Sequence, residues 1–292
     1  MDFKLIVDTG GDYSDEFLSK NDIERLPIVV SDGERDYAPG VDISRDILFQ
    51  EMRRGKVYQT SQISSSMLKE VFEDYAKQKK NVIYYALSAG LTAGVEAARL
   101  VEAEVKKNYP DFGVLVWDSK LASAGTELLL SEFLKRTDEL NSWEEVKKFF
   151  LYLREHIRVF FSVGDMQFLF RGGRMSKASY LIGTALSIKP LLFIDDNGKL
   201  AVKEKIRGEK MLYQKFAKSV LSEWDKEIPI YVAQGDNDKM ASSFMEELDR
   251  QLGKKGLYVK SFLGETIGAH TGPEVLVVSF FTENVRNYKI NS

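Results

Sequence analysis

Val82-Ile83-Tyr84-Tyr85-Ala86-Leu87-Ser88-Ala89-Gly90-Leu91-Thr92-Ala93-Gly94 is the stretch that decides the fold class. Its first six residues are all apolar, and four of them are β-branched or aromatic. A run that short, closed by a polar turn, reads as a strand buried on both faces. From residue 92 to 107 the pattern changes. Val95, Ala98, Val101 and Val105 recur at threes and fours, the spacing of one helical face. A buried strand followed directly by an amphipathic helix is the repeating unit of a layered α/β protein.

The same alternation extends in both directions. Strands are predicted at 5–7, 27–30, 113–117, 158–163, 190–194, 200–203, 228–233, 257–262 and 275–281, besides 82–87. Helical spacing recurs at 209–224 and 237–252. Ser142 with Glu145 three residues on predicts a capped helix start, with Val146, Phe149, Phe150 and Leu153 on one face. The expected fold is α/β: two α/β domains with mainly parallel sheets. The strand pattern restarts at Val159-Phe160-Phe161-Ser162-Val163, which divides the chain into an N-terminal domain, 1–156, and a C-terminal one, 157–292. No Pro/Gly/Ser-rich linker intervenes, so the two are expected to pack closely. The polar pair Asn291-Ser292 is expected to fray.

Composition narrows the function. The chain has 292 residues, with 41 Lys and Arg against 44 Asp and Glu, a net charge of −3. That balance gives no basic surface for nucleic acid. Zero cysteines exclude a disulfide framework, a thiolate nucleophile and thiolate-bound metal. The two histidines, His156 and His270, leave little for a histidine-rich metal site. Neither a phosphate loop nor a dinucleotide-binding glycine turn is present. The start Met1-Asp2-Phe3-Lys4 is not that of a signal peptide, and no apolar run approaches the roughly 18 residues of a membrane span. A soluble cytoplasmic protein without metal or cofactor is expected.

Four motifs carry polar chemistry. Ala86-Leu87-Ser88-Ala89-Gly90 follows a strand and precedes a helix, as a nucleophile elbow does. With Asp236 and His270 downstream it defines one alternative, a serine hydrolase or acyltransferase using Ser88, Asp236 and His270. The plainer reading is a turn that caps the next helix, and such a helix start also suits a carboxylate. Thr60-Ser61-Gln62-Ile63-Ser64-Ser65-Ser66 holds five hydroxyls in seven residues, either an N-cap cluster or a second set of donors. Arg171-Gly172-Gly173-Arg174 joins two arginines to a glycine pair, either a helix end with a glycine cap or an anion contact. Gly268-Ala269-His270-Thr271-Gly272-Pro273 is read as a loop that carries a histidine. His156, at the end of its helix, is read as structural.

Taken in order, these motifs resemble those of the DegV family. Val7-Asp8-Thr9-Gly10-Gly11-Asp12 is similar to that family's D-S-T-x-D opening, and Thr60-Ser61-Gln62-Ile63-Ser64 to its T-S-Q-P-S. Ser88-Ala89-Gly90-Leu91-Thr92-Ala93-Gly94 resembles S-S-G-L-S-G-T, and Trp117-Asp118-Ser119-Lys120 resembles V-D-S-K. Leu169-Phe170-Arg171-Gly172-Gly173-Arg174-Met175-Ser176 is similar to L-x-x-G-G-R-I-S. Ile182-Gly183-Thr184-Ala185-Leu186-Ser187-Ile188-Lys189-Pro190 is similar to I-G-x-L-L-x-I-K-P, and Ile206-Arg207-Gly208 and the histidine segment complete the series.

The resemblance implies a long-chain fatty acid, palmitate-like, buried in a tunnel at the junction of the two domains. It implies a carboxylate held by Thr60, Ser61, Thr92 and His270, with secondary contacts from Ser88, Gly90, Gly268 and Thr271. It places Arg174 at the phosphate end, facing a separate fatty acid kinase, with a peripheral membrane contact for lipid exchange. Glu274 stands where a second glycine is common, close enough in sequence to crowd an anionic head. The implied role is a carrier and not an enzyme. Burying about 14 methylenes at roughly 0.8 kcal/mol each gains about 11 kcal/mol before the cost of ordering the chain. A buried carboxylate is tolerated only where donors meet it, and neutral hydroxyls do so while leaving it nucleophilic.

Overall fold

The computed structural model describes residues 2–176 and 188–290. The motif segment 182–187 and the terminal pair 291–292 lie outside the described residues. Along the first half run β1 (Lys4–Asp8), α1 (Asp15–Lys20), β2 (Glu24–Leu26), β3 (Val29–Ser31), β4 (Asp36–Tyr37), α2 (Arg45–Arg53), β5 (Gln59–Ser61) and α3 (Ser65–Lys77). Next come β6 (Val82–Ala86), α4 (Gly94–Asn108), β7 (Val114–Asp118), α5 (Ala124–Leu134) and α6 (Trp143–His156). The second half holds β8 (Ile157–Val163), α7 (Gln167–Arg171), β9 (Ile188–Ile194), β10 (Leu200–Arg207) and α8 (Glu209–Glu223). It ends with β11 (Ile230–Gln234), α9 (Asp238–Leu252), β12 (Tyr258–Phe262), α10 (Glu265–Thr271) and β13 (Val275–Phe281).

The first sheet has the order β2-β1-β6-β7 and every pairing in it is parallel, as the strand–helix alternation predicts. Helices α3 and α6 start where polar side chains meet free N–H groups. Ser64 Oγ accepts Met67 N–H at 3.2 Å, and Ser142 Oγ accepts Glu145 N–H at 3.2 Å while Glu145 Oε2 takes Asn141 N–H at 2.6 Å. The strand expected at 27–30 is displaced: β2 ends at Leu26, before Pro27, and β3 starts only at Val29. Pro27 has no N–H for a ladder, and the next N–H, of Ile28, goes to Thr9 Oγ1 at 2.9 Å. β3 then joins a small antiparallel sheet, β4-β3-β5.

The six-stranded sheet, β10-β9-β8-β13-β11-β12, corrects the expectation of parallel pairing in this half. Only β11 and β12 pair parallel, whereas the other four pairings are antiparallel. The cause is burial on both faces. Val159, Phe161, Val275 and Val277 enter one core, while Phe160, Leu276, Val278 and Phe280 enter the other. A strand that alternates between two cores reads as one apolar run whatever the direction of its neighbours. α8 and α9 pack together over the second core. α5 packs against β8, β11 and β13 on the opposite face, and nearly every one of its residues is buried. A helix buried nearly all round lies between layers, and α5 fills that place even though Thr126, Glu127 and Glu132 are among its buried residues.

Candidate functional site

Where the first core meets the six-stranded sheet, a cavity of about 80 Å³ opens, set within about 740 Å³ of interatomic space that includes open solvent. One wall is the sheet itself: Val159 and Phe161 of β8, Ile194 of β9, Leu200 of β10 and Val277 of β13. The facing wall is Ile28, Leu87, Leu91 and Ala122, which sit in the loops that leave strands of the first half. Polar side chains enter from four directions: Thr60 of β5, Thr92 ahead of α4, Arg174 after α7, and Thr266, His270 and Thr271 of α10. Gln62 and Ser123 complete the polar part of the lining.

α10 brings its cavity side together by helical spacing. Thr266 and His270, and Ile267 and Thr271, are i,i+4 pairs on one face. Its start is held from the far end of the chain. Asp12 Oδ1 accepts Gly264 N–H at 2.8 Å, and Thr9 Oγ1 lies 2.8 Å from Thr266 Oγ1. Gly268 faces away from the cavity, and a Cβ there would lie 2.8 Å from the Phe49 ring, so this glycine lets α10 close on α2. The expected loop around His270 is thus a helix, ended by Gly272 at φ +76°. Seven residues that include one glycine and two threonines have little intrinsic helicity, and packing against α2 and α7 forms the helix.

His270 is buried, and its Nε2 lies 2.7 Å from Thr60 Oγ1. Burial first, and the Arg174 guanidinium second, push the imidazole down to about 3, so it is neutral at physiological pH. Arg174 is half-buried; its Nε donates to Leu91 O at 3.1 Å, beside Thr92, and its Nη1 donates to Gly172 O. Thr92 Oγ1 accepts Gly94 N–H at 3.2 Å at the start of α4. Thr271 Oγ1 donates to Ile267 O at 3.0 Å within its own helix. The structure therefore gathers Thr60, Thr92, Arg174, His270 and Thr271 in one lining.

Other candidates fall elsewhere. Ser61 is exposed and outside the lining, because successive residues of β5 point to opposite sides. Ser88 is fully buried and its Oγ donates to Gly198 O at 2.8 Å. A Cβ on Gly90 would meet that same turn at 2.5 Å, so both residues seat the β9–β10 hairpin. Asp236 accepts Arg53 Nε at 3.1 Å. Ser88, Asp236 and His270 thus spend their hydrogen bonds on three different partners, and the geometry of a catalytic triad is not assembled. Glu274 pairs with Arg53 at 3.6 Å and does not line the cavity. Gly173, at φ +73°, ends α7 as the capping reading predicts, so the glycine pair serves as a cap and also delivers Arg174 to the cavity. His156 ends α6, with Nδ1 3.5 Å from Glu283.

Ser123 and Thr266 carry no sequence signal beyond a hydroxyl. Ser123 has φ +57° and ψ −145°, and its Oγ donates to Asp12 Oδ2. Burial raises Asp12 to about 7, Glu127 to about 7 and Asp8 to about 6.

Fold and site together define a two-lobed α/β protein with an apolar interior chamber that ends in neutral hydroxyls, an imidazole and one guanidinium. The chain belongs to the DegV family: residues 2–283 match the family profile described as "Uncharacterised protein, DegV family". A DegV domain-containing protein of Streptococcus pyogenes serotype M1 is 31% identical over 291 residues, covering 98% of this chain and 100% of the relative. A Thermus thermophilus structure described as "Fatty Acid Binding of a DegV family Protein" is 25% identical with a TM-score of 0.85, covering 96% of this chain and 100% of that one. The structure of a stearic acid-binding protein from Eubacterium ventriosum is 26% identical with a TM-score of 0.84, covering 96% and 98%.

Proposed function

We propose that this chain binds a long-chain fatty acid in the cavity and presents the carboxylate to a separate fatty acid kinase, which forms an acyl phosphate. The observation that carries the reading is the cavity itself: an apolar wall of strand residues leads to Thr60, Thr92 and His270. Thr60 and Thr92 supply hydroxyls to the carboxylate, and His270 supports Thr60. The Arg174 charge lies close enough to depress His270 and so acts on the same head group. Ser61 is left out of the assignment because it is exposed. Ser88, Gly90 and Gly268 act as packing residues, and Thr271 lines the wall.

In this reading the chain performs no chemistry alone. The kinase brings ATP and Mg²⁺, a carboxylate oxygen attacks the γ-phosphorus, and ADP leaves. Arg174 stabilises the negative charge that accumulates on the transferred group. Among the described residues no helix is long and apolar enough to cross a membrane, and no group of three or more His, Cys, Asp or Glu is arranged to hold a metal ion. The setting that suits this role is the cytoplasm, where ATP is available, with the membrane surface as the source of fatty acid.

Mass spectrometry of the purified, denatured protein tests the binding half. A released long-chain fatty acid is the expected result. Protein that comes out empty and takes up neither palmitate nor oleate overturns it. Phosphoryl transfer from labelled ATP, in the presence of a purified fatty acid kinase, tests the other half.

A further inference from the structure

We infer that Gly172 sets the tautomer of His270 and that the resulting Nε2–H turns the Thr60 hydroxyl into a donor aimed at the cavity. Three observations converge. His270 Nε2 lies 2.7 Å from Thr60 Oγ1. His270 Nδ1 is buried with no hydrogen-bond partner. A Cβ built on Gly172 would lie 2.1 Å from that Nδ1, so the C–H bond it would replace points at the ring nitrogen.

A neutral imidazole carries one N–H, and the two tautomers are not equivalent here. A hydrogen on Nδ1 would meet the Gly172 C–H head-on and leave a buried donor without an acceptor. A bare Nδ1 instead receives that C–H in a weak but attractive contact. The proton therefore belongs on Nε2, which donates to Thr60 Oγ1. Thr60 cannot then return its own hydrogen to the ring. Its O–H turns to the cavity that Thr60 lines. The opposite tautomer would reverse the sequence: Thr60 would donate to His270 and present only lone pairs to the ligand, which repel a carboxylate. Gly172 is required for contact and not for conformation, since its φ of −71° and ψ of −6° suit any residue. His270 and Gly172 are positioning residues, and only the last step, donation to a carboxylate, rests on the fatty-acid reading.

The test is nitrogen NMR of the full chain with ¹⁵N-labelled histidine. The protein has two histidines, and His156→Gln assigns the signals by subtraction. Nε2 should be protonated and Nδ1 bare, both in delipidated protein and with palmitate added. A proton on Nδ1, or on both nitrogens at pH 7, overturns the inference. Gly172→Ala should displace the ring, change its shifts and weaken palmitate binding by about tenfold or more, with the circular dichroism spectrum retained. His270→Gln, which keeps an N–H at the end of its side chain, should bind within about threefold of wild type, whereas His270→Leu should lose about tenfold. Equal palmitate affinity of His270→Leu and wild type sinks the coupling to Thr60. If the ring shows Nε2–H but the chain takes up no fatty acid, the tautomer stands and the proposed function falls.

Discussion

The Asp12 carboxylate accepts the N–H of Gly264 at 2.8 Å, joining residues 252 positions apart at the start of α10. Its other oxygen accepts the hydroxyl of Ser123. One side chain thus fixes two elements of the cavity wall. Asp12→Ala should cost about 2–3 kcal/mol in urea unfolding, because a buried N–H and a hydroxyl both lose their acceptor. Fatty-acid affinity should fall as well, since α10 carries His270. Asp12→Asn keeps one acceptor and should lie between the two. Wild-type affinity in Asp12→Ala would separate α10 from the site.

Ser123 holds φ +57° and ψ −145°, a region in which side chains are strained. Ser123→Ala and Ser123→Gly remove the same hydroxyl, but only alanine retains a Cβ. The glycine variant should be more stable than the alanine variant by about 1–3 kcal/mol. Equal midpoints in thermal melts would mean that the neighbouring structure absorbs the strain.

Thr92 serves both the cavity and the start of α4, through Gly94 N–H. Thr92→Val should weaken palmitate binding by about tenfold, the worth of one hydrogen bond to a charged group, and cost about 1 kcal/mol of stability. Thr92→Ser should restore both. Titration calorimetry with Thr92→Val at wild-type affinity would remove Thr92 from the carboxylate site.

Stability should depend on pH through two opposed sets of groups. Asp8, Asp12 and Glu127 are raised to about 6, 7 and 7 by burial, so the folded chain holds these protons more tightly than the unfolded one. Their contribution is greatest below the ordinary carboxylate range and declines as pH rises towards 7. His270 acts the other way: with its folded value near 3, its contribution is intact above the ordinary imidazole value of 6.5 and is lost as pH falls towards 3. Each group changes stability by at most about 1.4 kcal/mol per pH unit inside its window. In urea melts from pH 4 to 8, wild type should lose ground to Asp12→Asn as pH rises to 7, and gain ground on His270→Gln as pH rises to 6.5. Parallel curves would show that these groups keep their ordinary values.

What could be read in advance followed burial. The run at 275–281 coincides with β13 residue for residue, because all seven side chains are buried and the six apolar ones enter one core or the other. That same double burial hid the strand directions in the six-stranded sheet. β5 was not legible as a strand: Gln59, Thr60 and Ser61 are three polar residues with no apolar alternation. Without it, the opposite facing of Thr60 and Ser61 could not be foreseen. The helix around His270 escaped because its stability comes from α2 and α7 and not from its own residues. Ser88 looked reactive because a turn between strand and helix is where nucleophiles sit; Gly198, 110 positions away, claims its hydroxyl.

The placement of α5 constrains how the molecule can be divided. It packs against β8, β11 and β13, although the helix precedes all three in sequence. A gene fragment stopped at residue 156 would leave that keel without a hull, exposing to water the face of α5 that now packs on the six-stranded sheet, and its product should aggregate.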